Sequence, residues 1–353
     1  MDYYILVVNP GSKATKLAVY KNEEILFKES INHPKEELDF FEEYYEQHTF
    51  RKMLVMDALE KKNFDVKLLS CVVGRGGMLP PVKIGGYKVN DKMVDYFINL
   101  PSAPHVSNLG CMIAKDIGDD LGIPAYIYDA VSACTLPPEA MVLGIPEVKR
   151  EPFCHVLNSR AAAISYAHDH NKTYDDVRVI VANLGSGISV SAHCGGNIVE
   201  VAGDDDGPMS PERSGLVPLL PVISLCYDGK YSRVQMNKKV RGMGGVKAYL
   251  GTSDMKVVEE MYENGDEKAK LVCDAMLLQV SRCIGSVSAS VKGDVEAIIL
   301  TGAIACSKRF TDIIRDHVSF IAPVCIYEGE NEIEALAMGA LRILRGEEEA
   351  HEF

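Results

Sequence analysis

The sequence predicts an α/β protein of two domains built by duplication, and three observations carry that expectation. The chain has 353 residues, long for one hydrophobic core. Short apolar runs of strand length alternate with longer helical segments. The opening pattern of strand, glycine-containing turn, strand, polar turn and strand starts again half-way along the chain.

The first copy runs as a strand Ile5 to Val8, the turn Asn9-Pro10-Gly11-Ser12, a strand Lys16 to Tyr20, a polar turn Lys21 to Glu24 and a strand Ile25 to Lys28. Asn, Pro, Gly and Ser are turn formers. Residues 34–62, charged and aromatic, read as helix. Leu68 to Val73 reads as a buried strand running into Gly74-Arg75-Gly76-Gly77. A helix is expected over Ser107 to Leu121, then a strand Ala125 to Tyr128 ending at Asp129. The second copy is the strand Val179 to Ala182, the turn Asn183-Leu184-Gly185-Ser186-Gly187 and the strands Ile188 to His193 and Ile198 to Val201. The two Asn-x-Gly-Ser elements lie 174 residues apart, Asn9 to Asn183. Beyond them, Gly242 to Gly245 and Gly251 to Asp254 precede helices near 255–262 and 267–291. Ala297 to Leu300 is a strand before Thr301-Gly302-Ala303-Ile304. Glu332 to Arg345 is a closing helix stopped by Gly346, and Glu347 to Phe353 reads as a charged, frayed tail.

Composition excludes some classes. The net charge of −13 argues against a nucleic-acid partner, which needs clustered Lys and Arg. Ten cysteines without a C-x-x-C pair read as reduced thiols; Cys71, Cys226, Cys273 and Cys325 stand in apolar runs as small hydrophobes. The N-terminus lacks a signal peptide's charged start and apolar core. No apolar stretch reaches the ~20 residues of a membrane span; the nearest, Leu216 to Cys226, contains Pro218 and Pro221. A cytoplasmic protein without a membrane partner is expected.

Glycine-rich turns let backbone N–H groups approach phosphates. Four turns qualify: Asn9 to Ser12, Asn183 to Gly187, Gly251 to Asp254 and Thr301 to Ala303. No P-loop motif is present, and no dinucleotide fingerprint opens a helix after the first strand. Phosphoryl transfer further needs cations, a carboxylate for Mg²⁺ and alignment of both reactants. Arg75, just past a buried strand, can serve as such a cation or be a solvated loop charge, as can Arg213. Asp129 suits metal holding, orientation or a helix N-cap. Asp204-Asp205-Asp206 reads first as a solvated acidic loop. His105 and His155 read as structural when taken singly, and Lys16 can touch phosphate or merely project from its strand.

Taken in order, Asn9 to Lys16, Val72 to Gly77, His105 to Gly110, Gly185 to Val190, Ser210 to Gly215, Ala248 to Asp254, Ile299 to Gly302 and Glu334 to Ala337 resemble the butyrate kinases of the acetokinase family. That resemblance implies two duplicated actin-like, ribonuclease H-like domains with mixed five-stranded sheets around a central nucleotide cleft. The domains are expected at 1–155 and 156–333, with 334–353 packing back on the first. It implies phosphorylation of a short-chain carboxylate, butanoate foremost, by ATP with Mg²⁺ to give an acyl phosphate and ADP. Kinases for branched-chain acids, propionate or acetate are the near alternatives; a non-catalytic ATP-binding module is the distant one. A homo-oligomer, dimeric or dimer-based, is implied as well.

By the same resemblance Asn9 and Ser12 approach the transferred phosphate, with Lys16 close by. Arg75 and Arg213 grip the carboxylate and the phosphoryl group. His155 bonds that group in the transition state, and His105 supports the site. Asp129 orients the carboxylate or holds Mg²⁺ through water. Metal association falls to Asn9, Asp129 and Glu332, with Glu334 a rival to Glu332. Asn183, Gly185 and Gly187 line the ATP phosphates, while Asp254, Gly302 and Ala303 approach the nucleotide. Gly77 and Cys154, at positions that are bulky in acetate kinases, are expected to leave room for extra methylenes, each worth ~0.8 kcal/mol when buried. Lys13, Ala14, Ser186 and Ala303 depart from the family pattern.

Overall fold

The computed structural model describes residues 2–99 and 105–353. It comprises two compact units, Met1–Ala133 with Asn331–Phe353, and Cys134–Glu330. These boundaries differ from the expected 155/156 and 333/334: residues 134–155 join the second unit, where the Thr135 N–H donates to the Ile198 carbonyl and Arg150 pairs with Glu200, and residues 331–333 join the first, because Glu332 opens a helix that packs on its sheet.

The first unit's sheet is formed by β1 (Tyr4–Pro10), β2 (Ala14–Lys21), β3 (Glu24–Asn32), β4 (Cys71–Arg75), β5 (Gly86–Lys88), β6 (Ala125–Tyr128) and, from the chain's end, β12 (His351–Glu352). The second unit holds β7 (Arg178–Leu184), β8 (Ile188–Cys194), β9 (Asn197–Ala202), β10 (Ala297–Gly302) and β11 (Val324–Glu328). Strand orders are β12-β5-β6-β4-β1-β2-β3 and β11-β10-β7-β8-β9.

Five strands of each sheet correspond one to one. In both, two antiparallel hairpins (β1-β2-β3, β7-β8-β9) are followed outward by two parallel strands (β4 and β6, β10 and β11). The expected five-stranded sheet therefore describes the second unit, whereas the first has seven strands because β5 and β12 extend its edge. The helices Leu109–Leu121 and Lys308–Val318 are matching crossovers between the parallel strands. Parallel strands covered by helices bury both faces, and Ile5 to Val8 and Ile298 to Leu300 are fully buried.

The tail is docked rather than frayed. β12 pairs with β5, Phe353 packs on Tyr96, and His351 Nε2 lies 3.2 Å from the Ile84 carbonyl. Between residues 34 and 62 the single expected helix is broken into Lys35–Leu38, a 3-10 turn and Gln47–Lys61. One helix among the described residues, Glu267–Ser290, is long and apolar enough to cross a membrane by length and composition. Here Val272, Met276, Leu277, Val280 and Ile284 bury it in the second unit's core.

Candidate active site

In the first unit the ends of β1 and β4, side by side in parallel register, bring Asn9 and Arg75 together. Arg75 grips Glu332 with two donors, Nη2 to Oε1 at 2.8 Å and Nη1 to Oε2 at 3.0 Å, the two-pronged geometry that suits a planar guanidinium. Asn9 Nδ2 donates to Glu332 Oε2 at 2.8 Å, and Arg75 Nη1 lies 3.4 Å from Asn9 Oδ1. Glu332 opens the closing helix, Glu332–Arg345, which packs on β1 and β4. Glu334, one of the two acids the sequence left open, is exposed, and Glu332 is the one beside Arg75. Close packing sets β4: a Cβ on Gly74 would lie 2.0 Å from the carbonyl oxygen of Gly110 in the crossover helix.

Asp129 is buried at the end of β6 with a left-handed backbone, φ 46°. Its Oδ1 accepts from the Gly85 N–H at 2.9 Å, and its own N–H donates to the Gly85 carbonyl at 3.0 Å. It caps no helix. Lys16 stands opposite Asn9 in the β1–β2 register and is exposed, as is Ser12. His105 is exposed and caps a 3-10 turn, Val106–Asn108, its Nδ1 accepting from the Ser107 N–H at 3.2 Å.

The space expected beside Gly77 is already filled. A Cβ there would fall 2.4 Å from Asn108 Oδ1 and 2.7 Å from Phe97 Cζ. Phe97, fully buried, occupies that volume, so the glycine makes way for a ring of this chain rather than for an acyl chain.

A buried cluster that the sequence did not single out lies behind the first turn. Arg51, on Gln47–Lys61, donates to the Gly11 carbonyl and Thr15 Oγ1, and His33 Nε2 lies 2.8 Å from the same hydroxyl. Burial pulls Arg51 down to about 10; burial and Arg51 pull His33 down to about 4.

In the second unit Asn183 ends β7 as Asn9 ends β1. Its Oδ1 accepts from Asn158 Nδ2 at 2.6 Å, and that amide also reaches Thr301 Oγ1 at 3.4 Å. His155 precedes Val156–Asp169, its Nδ1 2.7 Å from Ser189 Oγ. Arg213 lies against the second turn: a Cβ on Gly187 would sit 2.5 Å from its Cζ. Its Nη1 pairs with Asp204, and Arg241 Nη2 reaches Asp205 at 3.0 Å. Asp206 pairs with Arg150. The acidic run is thus a set of arginine partners, with Asp204 well covered and Asp205 still open to solvent. Gly302, with φ 93°, ends β10 where a Cβ would meet the Leu184 backbone at 2.5 Å, so only glycine lets β10 pass β7 there. Behind β8, His193 is fully buried between Ser191 Oγ and Tyr174 OH; burial and Arg160 pull it down to about 3.

A cavity of about 500 Å³ opens beside this turn, within the range of small-molecule sites. Of the residues expected at the nucleotide, Gly185, Asp254 and Ala303 line it. Asn183 and Gly302, on strand ends, and Gly187, in the turn, do not line it. Asp254 also caps Met255–Glu263 by accepting from the Lys256 N–H at 3.0 Å. Lys256, Glu259, Cys306 and Phe310, which the sequence did not flag, are among the other residues of its wall. They follow the flagged turns on the next helices, and their spacing carries no separate motif.

The acetokinase family matches residues 127–322. A Clostridium botulinum protein named "Probable butyrate kinase" is 44% identical over 352 residues, covering 99% of each chain. Butyrate kinase 2 of Clostridium acetobutylicum is 43% identical over 355 residues, covering 100% of each. Among solved structures, the acetate kinase of Porphyromonas gingivalis superposes with a TM-score of 0.82 at 16% identity, over 97% of this chain and 100% of that one, which establishes the shared fold. With both halves of the duplication and the full length accounted for, the chain belongs to the acetokinase family.

Proposed function

We propose that this protein is a butyrate kinase that converts butanoate and ATP reversibly into butanoyl phosphate and ADP. The carrying observation is a full-length identity of 42–44% to butyrate kinases. Arg75, Asn9 and Glu332, gathered at the ends of two parallel strands, give that reading its chemistry.

A carboxylate oxygen attacks the γ-phosphorus in line. The new O–P bond forms as the bond to the β–γ bridging oxygen breaks, and ADP leaves with that electron pair. Butanoate is ionised at pH 7, so no strong base is needed. Catalysis is alignment and charge stabilisation. Arg75 is assigned to the carboxylate and Arg213 to the transferring phosphoryl group. His155, its Nδ1 2.7 Å from Ser189 Oγ, is assigned to a phosphoryl oxygen in the transition state. His105 supports the site. Asn183, Gly185 and Gly187 approach the ATP phosphates, and the cavity beside them takes the nucleoside, with Asp254, Gly302 and Ala303 near it. Ser12 and Lys16, both exposed, approach the transferred phosphate.

Among the described residues no group of three or more His, Cys, Asp or Glu side chains clusters as a metal cage. Mg²⁺ in phosphoryl transfer takes one or two carboxylates and otherwise phosphates and water, which the oxygens of Asn9, Glu332 and Asp129 fit. Mg²⁺ there supplies neutralisation of the phosphate charge.

A cytoplasmic setting suits the ten cysteines, all free thiols. The helix Leu219–Tyr227 buries none of its residues, and Leu219, Leu220, Ile223 and Tyr227 are exposed at 65, 78, 50 and 86%. Such an apolar face suits a second copy of this chain; Leu220→Asp should lower the mass seen by light scattering.

The deciding experiment is acyl-phosphate capture as hydroxamate with ATP and Mg²⁺ across acetate, propionate, butyrate and isobutyrate. Butyrate is expected to give the highest kcat/KM. A best value with acetate refutes the assignment.

A further inference from the structure

We infer that Arg51 is a positioning residue for the first phosphate turn, holding its two feet and placing an uncancelled positive charge beneath it. This rests on the function proposed above, in which Asn9 and Ser12 of that turn approach the transferred phosphate.

Arg51 is 1% exposed. Its Nη1 donates to the Gly11 carbonyl at 2.9 Å and to Thr15 Oγ1 at 3.0 Å. Between these points the Gly11 N–H donates to the Ala14 carbonyl at 2.7 Å, so the guanidinium fastens both sides of one tight turn. Its Nε and Nη2 donate to Gln47 Oε1 at 3.2 and 2.9 Å, which fixes the fork from the helix side. The far side of Thr15 is held in turn by His33, whose N–H donates to the Lys13 carbonyl at 2.8 Å.

The acceptors of Arg51 are a carbonyl, a hydroxyl and a side-chain amide, all neutral. Burying a cation against neutral partners costs stability, because no opposite charge repays its desolvation. Arg75 and Arg213, by contrast, carry carboxylates that cancel much of their field. In a low-dielectric interior an uncancelled charge acts over a longer distance. The residue thus combines fixed donors with positive potential at a turn assigned to phosphate, which is how preorganised electrostatics work. His33 stays neutral in the working pH range, leaving the charge of the cluster on Arg51.

The test compares wild type, Arg51→Met, Arg51→Lys and Thr15→Val by steady-state kinetics in the acyl-phosphate assay, with thermal melts. Arg51→Met, which leaves the Gly11 carbonyl and the Gln47 amide oxygen short of a donor, is expected to fold with a lowered melting temperature while kcat falls about 10- to 100-fold, with KM for butyrate within about threefold. Arg51→Lys, which keeps the charge and loses the fork, should recover part of kcat. Wild-type kcat in folded Arg51→Met overturns the inference, as does a loss of kcat that tracks a loss of melting temperature equally in both variants. Should Arg51→Met fail to fold, Thr15→Val decides: it keeps the charge and removes one acceptor, and an unchanged kcat overturns the inference. A wild type that forms no acyl phosphate overturns the function itself; an active wild type with an indifferent Arg51→Met overturns only the role of Arg51.

Discussion

In the first hairpin the side-chain amide of Asn9 donates to a carboxylate, whereas in the second the side-chain carbonyl of Asn183 accepts from another asparagine. The backbones beneath are alike. Asn9 faces Lys16 and Asn183 faces Ser189 across the antiparallel register. Each middle strand breaks register with its third strand, at Val19/Tyr20 and at Ala192/His193. A one-residue slip would turn every side chain to the wrong face, so duplication holds the register firmly. The residues reaching past the turn are under no such constraint. One turn is backed from below by the buried Arg51; the other is faced by Arg213, laid on Gly187. The same scaffold therefore carries an arginine–carboxylate cluster in one unit and an asparagine amide network beside a cavity in the other.

The largest test of that contrast removes the arginine on each side. Arg75→Ala and Arg213→Ala should each lower kcat about 10²- to 10³-fold, measured by hydroxamate capture, whereas His105→Ala, which removes the cap of a 3-10 turn, should cost far less. Near-normal turnover in Arg213→Ala would remove the second turn from the chemistry. Adding one methyl to each turn sharpens the comparison. In Gly187→Ala the new Cβ meets the flexible end of Arg213, so the arginine is displaced and kcat should drop about tenfold or more with the melting temperature kept. In Gly11→Ala the nearest atom is the Ala14 carbonyl oxygen at 3.2 Å, which has only to give slightly; kcat should change by a few-fold at most. Equal losses in the two variants would break the asymmetry.

The smallest effect is on stability against pH. His33 and His193 are held down to about 4 and about 3 from an ordinary value of 6.5. Above pH 6.5 both are neutral folded or unfolded, and their contribution is complete. As pH falls the unfolded chain takes up protons that the fold refuses, so stability drops by about 1.4 kcal/mol per pH unit per histidine. The His33 contribution is exhausted near pH 4 and that of His193 near pH 3. Urea titrations at pH 7, 6 and 5 should show this slope halved in His33→Gln. An unchanged slope would mean that His33 protonates freely in the fold.

The hairpins, the parallel strands and most helix positions were legible because alternating and continuous apolar runs report local burial. Asn9, Arg75, Asp129, Asn183 and Arg213 were legible as candidates because turn residues and charges at strand ends stand out. The identity of their partners was not. Nothing near Arg75 in the chain names Glu332, which comes 257 residues later, and the choice between Glu332 and Glu334 needed the helix phase. Arg51 was hidden among the charges of residues 34–62, where a buried arginine and a solvated one read alike. Gly77 was misread because a missing side chain says nothing of which neighbour fills the gap, here Phe97. β12 was missed because two residues in a charged tail carry no strand pattern.

The closing helix has a consequence for how the protein is made. The second unit is one continuous stretch of chain, Cys134–Glu330, but the first is interrupted by it. During synthesis the ribosome releases Asn9 and Arg75 long before Glu332, and domains generally fold as they emerge. The first unit must then wait, its β1 and β4 uncovered by their helix and Arg75 without its carboxylate, until Glu332–Arg345 is made. The cluster of Asn9, Arg75 and Glu332 is therefore assembled only after the second unit has been synthesised, and a polypeptide truncated before residue 332 would carry its second unit whole and its first unit unfinished.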